Sequence, residues 1–194
     1  MQRCAGKRVH FIDIGANCGT FSIPVAYISD PSSTIMAFEP NPVMQKRLTR
    51  NIELNDLHNI TLHPVAIGPQ EANTTLHFAP GRLGDYGAAS LVMHPEARKG
   101  VEVEVKVLTP DLVAASGEYD FRALKIDVEG FEDRALYGFI TQAPDDILPE
   151  MIIIETDHKQ MWELDLLAAF ATRGYSATQV MDGNDIYERA LLNG

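Results

Sequence analysis

Asp13-Ile14-Gly15-Ala16-Asn17-Cys18-Gly19-Thr20 closes a short β-rich run that begins at Val9. The run stops at Gly15, and the chain turns from it directly into a plausible helix. Such a glycine turn lets the backbone approach a ligand closely. In open α/β sheets the ligand crevice lies outside the carboxyl ends of the strands, where this turn falls.

The order of elements on either side agrees with that setting. A helix is expected from about Gly19 to Ile28, and a second apolar strand over Thr34 to Phe38 ends in Glu39-Pro40. Asn41 is placed to cap the next helix, with Pro42 at its first position and Val43 to Glu53 continuing it. Ile60 to Ile67 reads as one third strand, broken by Gly68-Pro69. Thr74 to Phe78 and Val101 to Val107 alternate like half-exposed antiparallel strands. Between them, residues 80–100 form an irregular insertion of a length that is usually functional or disordered, here a candidate substrate loop. Strand, helix and strand resume over Ala123 to Ile126, Phe131 to Ile140 and Met151 to Glu155. A helix from Met161 to Thr172 ends at Gly174, and strands over Tyr175 to Val180 and Asp185 to Ala190 close the chain as a hairpin. The pattern predicts one α/β domain over residues 1–194, a doubly wound, seven-stranded, mostly parallel sheet with an antiparallel C-terminal hairpin strand.

Glu39 ends the second strand 24 positions after Gly15. A carboxylate there is suited to accept hydrogen bonds from both hydroxyls of a ribose. A dinucleotide fold would show G-x-G-x-x-G, with close glycines for a pyrophosphate. The order here is D-x-G-x-x-x-G, and Asn17 stands where a middle glycine would be. Asp13 ahead of the turn suits a ligand with a positive charge and an amino group, and would repel pyrophosphate. The pattern points to S-adenosylmethionine rather than NAD.

A second constellation is Lys125-Ile126-Asp127-Val128-Glu129-Gly130-Phe131-Glu132. Alternation puts Lys125, Asp127 and Glu129 on one side if the strand runs that far. Asp127 and Glu129 are candidate functional acids. Glu132 reads either as functional or as an acid stabilised in the first turn of the next helix. The following strand ends in Glu155-Thr156-Asp157-His158, and His158 has the intrinsic acidity to exchange a proton near neutrality. Tyr86, Ser90 and His94 in the irregular insertion are candidates to face an acceptor, and Leu91-Val92-Met93 reads as a hydrophobic anchor.

Composition limits the function classes. The chain has 194 residues, 45% hydrophobic and 22% charged, with two cysteines and a net charge of −11. That balance belongs to a folded globular chain and argues against a disulfide scaffold or a cysteine-rich zinc site. The negative charge argues against a nucleic-acid or anionic-membrane surface. No apolar run reaches the ~20 residues of a membrane span, and no signal peptide is read at the start. The expectation is a cytoplasmic protein acting on a small molecule, as a monomer or a homodimer.

Four segments together resemble the FkbM-like family of S-adenosylmethionine-dependent methyltransferases, of the class I methyltransferase fold. They are FIDIGANCGTFS at Phe11 to Ser22, AFEPNP at Ala37 to Pro42, VAIG at Val65 to Gly68 and LKIDVEGFE at Leu124 to Glu132. The resemblance implies that Asp13, Gly15, Ala16, Asn17 and Gly19 bind the methionine side of the cofactor, that Glu39 holds its ribose and that Ala66 lies near its adenine. It places Asp127 beside the methyl-transfer centre with Glu129 close by. It implies an O-methyltransferase for a hydroxylated sugar, glycoside or polyketide-like acceptor, with Asp127, Glu129 and His158 as candidate bases in that order. With only eight residues before the first strand, either residues 80–100 or a partner subunit is expected to cover the cofactor, or the chain is a shortened version. Three readings compete with the lead. Asp127, Glu129, Glu155 and Asp157 are acids able to gather a Mg²⁺, the metal ligands themselves being unassigned. The chain is otherwise a non-catalytic S-adenosylmethionine-binding module, or an NAD-dependent oxidoreductase.

Overall fold

The computed structural model describes residues 2–78, 89–91, 100–115, 117–181 and 183–190. A seven-stranded sheet forms its centre. The strands are β1 (Val9–Ile14), β2 (Thr34–Phe38), β3 (Ile60–His63), β8 (Phe121–Ile126), β9 (Met151–Glu155), β10 (Tyr175–Met181) and β11 (Asn184–Arg189). Their order across the sheet is β3-β2-β1-β8-β9-β11-β10. β1 pairs in parallel with β2 and β8, as do β2 with β3 and β8 with β9. β11 runs antiparallel to both β9 and β10. This is the expected doubly wound sheet with its antiparallel C-terminal strand.

Every residue of β1 is buried, as a central parallel strand covered on both faces requires. Its side chains divide by the pleat. Val9 and Phe11 pack with Ile35 and Ala123 against Val25 and Ala26 of α1 (Ser22–Ile28). Ile12 and Ile14 pack on the other face with Leu124 and Ile126. That second core is closed by Leu136, Phe139 and Ile140 of α4 (Glu132–Gln142) and by Leu166 and Phe170 of α5 (Leu166–Thr172). Leu48 of α2 (Pro42–Leu54) is fully buried against Ala16 and Ala37. Asn41 caps α2 by accepting the Val43 N–H at 2.9 Å, with Pro42 at the first position, as its sequence dictates.

Three boundaries differ from expectation, and one short helix is added. α1 begins at Ser22 rather than Gly19, because Gly19 takes a φ of +97° and residues 17–21 stay in turns. α5 begins at Leu166, where Asp165 accepts the Ala168 N–H, and only a short 3₁₀ turn occupies Lys159–Met161. A one-turn helix, α3 (Pro110–Val113), starts at the Thr109 cap. The expected strand Ile60 to Ile67 divides at Pro64, which has no N–H to give a ladder. Val65 donates back to the His63 carbonyl, and Ala66–Gly68 leaves the main sheet as β4.

β4 enters a second sheet of order β4-β7-β5-β6, with β5 (Ala72–Phe78), β6 (Ala89–Ser90) and β7 (Gly100–Val107). β5 and β7 pair antiparallel, as their alternation anticipates. The small sheet stands over the carboxyl ends of β1, β2 and β8, and the space between becomes the candidate site. Among the described residues no helix is long and apolar enough to cross a membrane.

Candidate active site

Two turns at adjacent strand ends form the floor of the site. After β1, Gly15 has a φ of +74° and Asn17 one of +52°. A Cβ on Gly15 would collide with the carbonyl oxygen of Asp127, so only glycine lets the two turns touch. The turn is tied to β2, with Gly15 and Ala16 both donating to the Phe38 carbonyl, at 2.9 and 3.0 Å. Glu39 then binds the turn directly. Its Oε2 accepts the Asn17 N–H at 2.8 Å and its Oε1 the Asn41 N–H at 2.7 Å. Glu39 is only 6% exposed, and burial pushes its carboxyl above the usual range against the pull of those two N–H groups.

After β8, the strand ends at Ile126 and does not continue through Glu129. Glu129 has a φ of +57° and Gly130 one of +91°, so the residues after Asp127 curl away from the strand. Glu132 holds the curl. Its Oε1 accepts the N–H groups of Val128 (2.9 Å) and Gly130 (3.2 Å), and its Oε2 accepts the Trp162 indole N–H at 2.9 Å. Of the two readings of Glu132, the structure supports the architectural one: it is fully buried and its carboxylate shapes the turn.

Between these turns and the small sheet lies a cleft open to solvent, about 680 Å³ with its open mouth included. One wall is Gly15, Asn17, Glu39 and Asn41. Val65, Ala66, Ile67, Leu76 and Leu91 supply apolar lining, and Asp127, Glu129 and Phe131 line the cleft as well. Gly15, Asn17, Glu39, Ala66, Asp127 and Glu129 thus meet in one place. Leu91 of the expected hydrophobic anchor contributes to the apolar wall. Tyr86 and His94 lie outside the described residues, as does the side chain of Ser90.

Asp13, Ala16 and Gly19, expected on the cofactor side, are not among the residues that line the cleft. Asp13 is fully buried, and its Oδ2 accepts both the N–H and the hydroxyl of Ser22 at the start of α1. Ala16 is packed against Leu48, and Gly19 is close to Ile23 and Leu48, where a Cβ would have no room. These three shape the turn from behind.

His158 also stands outside the cleft lining. Its Nδ1 lies 3.7 Å from Glu129 Oε2 and 3.5 Å from Glu155 Oε1, so it joins the cleft acid to a buried one. Burial, with Asp127 beside it, holds the Glu129 carboxyl above the ordinary range. Glu155 is pushed up to about 7 by burial and by the nearby Glu132, and its Oε2 is buried without a partner. Asp157 turns the other way, toward Gly183 in the C-terminal hairpin. The acids therefore do not converge as a cage. Among the described residues no group of three or more His, Cys, Asp or Glu side chains is placed to hold a metal ion.

Lys125 was given no role by sequence reasoning. Its ammonium donates to the Gly15 carbonyl at 2.8 Å and pairs with Asp13 and Asp127, each at 3.6 Å. The available signal was a lysine inside the apolar run of a central strand, where a charge needs partners.

The fold is that of the class I methyltransferases. Among solved structures, the precorrin-6y C5,15-methyltransferase from Geobacter metallireducens superimposes with a TM-score of 0.51 at 16% identity, over 96% of this chain and 84% of that one. The FkbM methyltransferase domain model matches residues 13–177, and the chain belongs to that family. The hexuronic acid methyltransferase AglP of Haloferax volcanii is 31% identical over 127 residues, 65% of this chain and 48% of the relative. The 31-O-demethyl-FK506 methyltransferase FkbM of Streptomyces tacrolimicus is 29% identical over 151 residues, 65% and 57% of the two chains. The chain spans about half the length of these curated relatives.

Proposed function

We propose that the chain transfers a methyl group from S-adenosylmethionine to a hydroxyl oxygen of a small acceptor, a sugar, a glycoside or a polyketide-like metabolite. The supporting observation is that one cleft is lined both by Gly15, Asn17 and Glu39 and by Asp127 and Glu129. The residues fit the cofactor: a glycine whose missing Cβ keeps the turn open, a nearly buried carboxylate at the end of β2, and an apolar wall. Gly15, Asn17 and Asp127 would hold the methionine end, Glu39 the ribose hydroxyls, and Ala66 with Val65 and Ile67 the adenine. When bound, the cofactor supplies an electrophilic methyl on a sulfonium sulfur.

The protein's part is positioning and proton removal. Holding an acceptor oxygen in line contributes on the order of 7–11 kcal/mol, and a placed base about 10²–10⁴-fold. Glu129 is the group best suited to take the hydroxyl proton, because it lines the cleft and burial makes its carboxylate more basic than usual. Asp127 beside it orients the hydroxyl. His158, half-exposed and within 3.7 Å of Glu129, gives that proton a way toward solvent. The names of the two relatives, one for a hexuronic acid and one for a demethylated oxygen, agree with a hydroxylated acceptor.

Isothermal titration with S-adenosylhomocysteine, with NAD⁺ as control, tests the reading. Binding of the first alone is expected, weakened about 10²-fold by Glu39→Ala, the loss of two hydrogen bonds to a charged acceptor. Binding of NAD⁺ alone, or of neither, overturns it. Label transfer from S-adenosylmethionine to a panel of hexuronic acids, glycosides and macrolides then identifies the acceptor.

A further inference from the structure

Lys125 sits behind the cleft, not in it, and its surroundings are unusual. It belongs to β8, its side chain is 4% exposed, and its ammonium stands 5.4 Å from the centre of the Phe21 ring. Three oxygen groups from three different segments face it. The Gly15 carbonyl, from the turn after β1, accepts its hydrogen bond at 2.8 Å. Asp13 Oδ1, from β1 itself, lies 3.6 Å away, and Asp127 Oδ2, from the turn after β8, also lies 3.6 Å away. Glu39, at the end of β2, feels the same charge at longer range. One cation is therefore shared by the turn that faces the cofactor, the acid that ends β8, and the acid that anchors α1.

We infer that Lys125 is a positioning residue that couples the two halves of the site, setting the Gly15–Asn17 turn and the Asp127 carboxylate together so that cofactor affinity depends on a side chain outside the cleft. The inference rests on the S-adenosylmethionine reading of the cleft and deepens it. The physical argument is one of charge and connection. Two carboxylates against one buried ammonium give an acidic balance beside the cleft end lined by Gly15 and Asp127. That sign suits a ligand carrying a sulfonium and an ammonium. The hydrogen bond to Gly15 also fixes the direction of a backbone that has no side chain to fix it. Asp13, paired with Lys125 and bonded to Ser22, carries the same constraint into the start of α1.

The test uses the whole chain and S-adenosylhomocysteine as probe, by isothermal titration between pH 6 and 8.5, with thermal unfolding of each variant. In the parent protein affinity should change less than threefold over this range. Lys125→Met should bind at least 10-fold more weakly at pH 8, and its affinity should fall further toward pH 6, because Asp13 and Glu39 lose the counter-charge that lowers their pKa and take up protons at higher pH. The double variant Asp13→Asn with Lys125→Met removes the unpaired buried acid, so its unfolding temperature should recover toward the parent's while its affinity stays at least 10-fold weaker. Recovery of affinity together with stability would overturn the inference, since Lys125 would then be only a structural counter-ion. Unchanged affinity in both variants would overturn it as well. A parent protein that does not bind the probe at all would overturn the cofactor reading and this inference with it. Lys125→Arg, which keeps the charge but not the shape, should fall between parent and methionine variant.

Discussion

At the scale of single residues, the site depends on positions where only one side chain fits. Gly15 is the clearest. Its positive φ and the Asp127 carbonyl beside it leave no room for a Cβ. Gly15→Ala should lower stability by roughly 2–4 kcal/mol in urea titration and abolish S-adenosylhomocysteine binding, as strain and collision act together. Full stability in that variant would mean that the two turns can move apart. Glu39 illustrates a different kind of dependence. Both its oxygens already accept backbone N–H groups, so it shapes the turn as well as facing the cleft. The sequence made both residues candidates for a ligand site, and both line the cleft. Asp13 shows what such reading leaves out: the acid before the glycine turn is buried, with Oδ2 bonded to Ser22 and Oδ1 3.6 Å from the Lys125 ammonium.

At the scale of elements, the turn between β8 and α4 is held by one carboxylate. Glu132 accepts three N–H groups from within full burial, so Glu132→Gln should cost about 2–3 kcal/mol, the loss of charge-assisted hydrogen bonds. Trp162→Phe, which removes one of the three donors, should cost about 1 kcal/mol by the same measurement. Equal losses would show that the indole, not the turn, is the main partner. The alternation read through Lys125, Asp127 and Glu129 broke because a left-handed pair, Glu129 and Gly130, follows the strand end. Local pattern shows where a strand is apolar, but where it stops depends on groups 30 residues away, such as Trp162. The division of residues 60–67 into two strands has a legible cause in Pro64. The destination of the second piece, a different sheet, was set by pairing with β7.

At the scale of the whole molecule, two buried groups oppose each other in their response to pH. His10, under Tyr119, is lowered to about 4 by burial and by Arg122. The unfolded chain takes up that proton near pH 6.5 and the folded one does not, so His10 makes stability fall as pH drops from about 6.5 to 4. Glu155, raised to about 7, acts in reverse. The folded chain keeps a proton that the unfolded chain releases near 4.5, so the stability due to Glu155 is lost as pH rises from there toward 7. Each slope approaches 1.4 kcal/mol per pH unit at most, and over their shared window they offset. Relative to the parent, Glu155→Gln should therefore tilt the stability curve upward from pH 5 to 6.5, and His10→Gln should tilt it downward over the same range. Urea titrations at three pH values in that window check this; parallel curves for both variants would contradict it.

The sequence by itself determined a doubly wound, mostly parallel sheet with an antiparallel C-terminal strand, and put a glycine turn and two acids at strand ends. These follow from short-range rules of periodicity, capping and crossover that act within a few residues. Only the tertiary structure decided which acids face the cleft and which lie behind it. It also made Glu132 a turn-holder, tied His158 to Glu155, and put the Lys125 ammonium among oxygens from three segments. The reason is physical: the role of a charged side chain is set by what it meets after burial, and its partners arrive from parts of the chain that no local pattern connects.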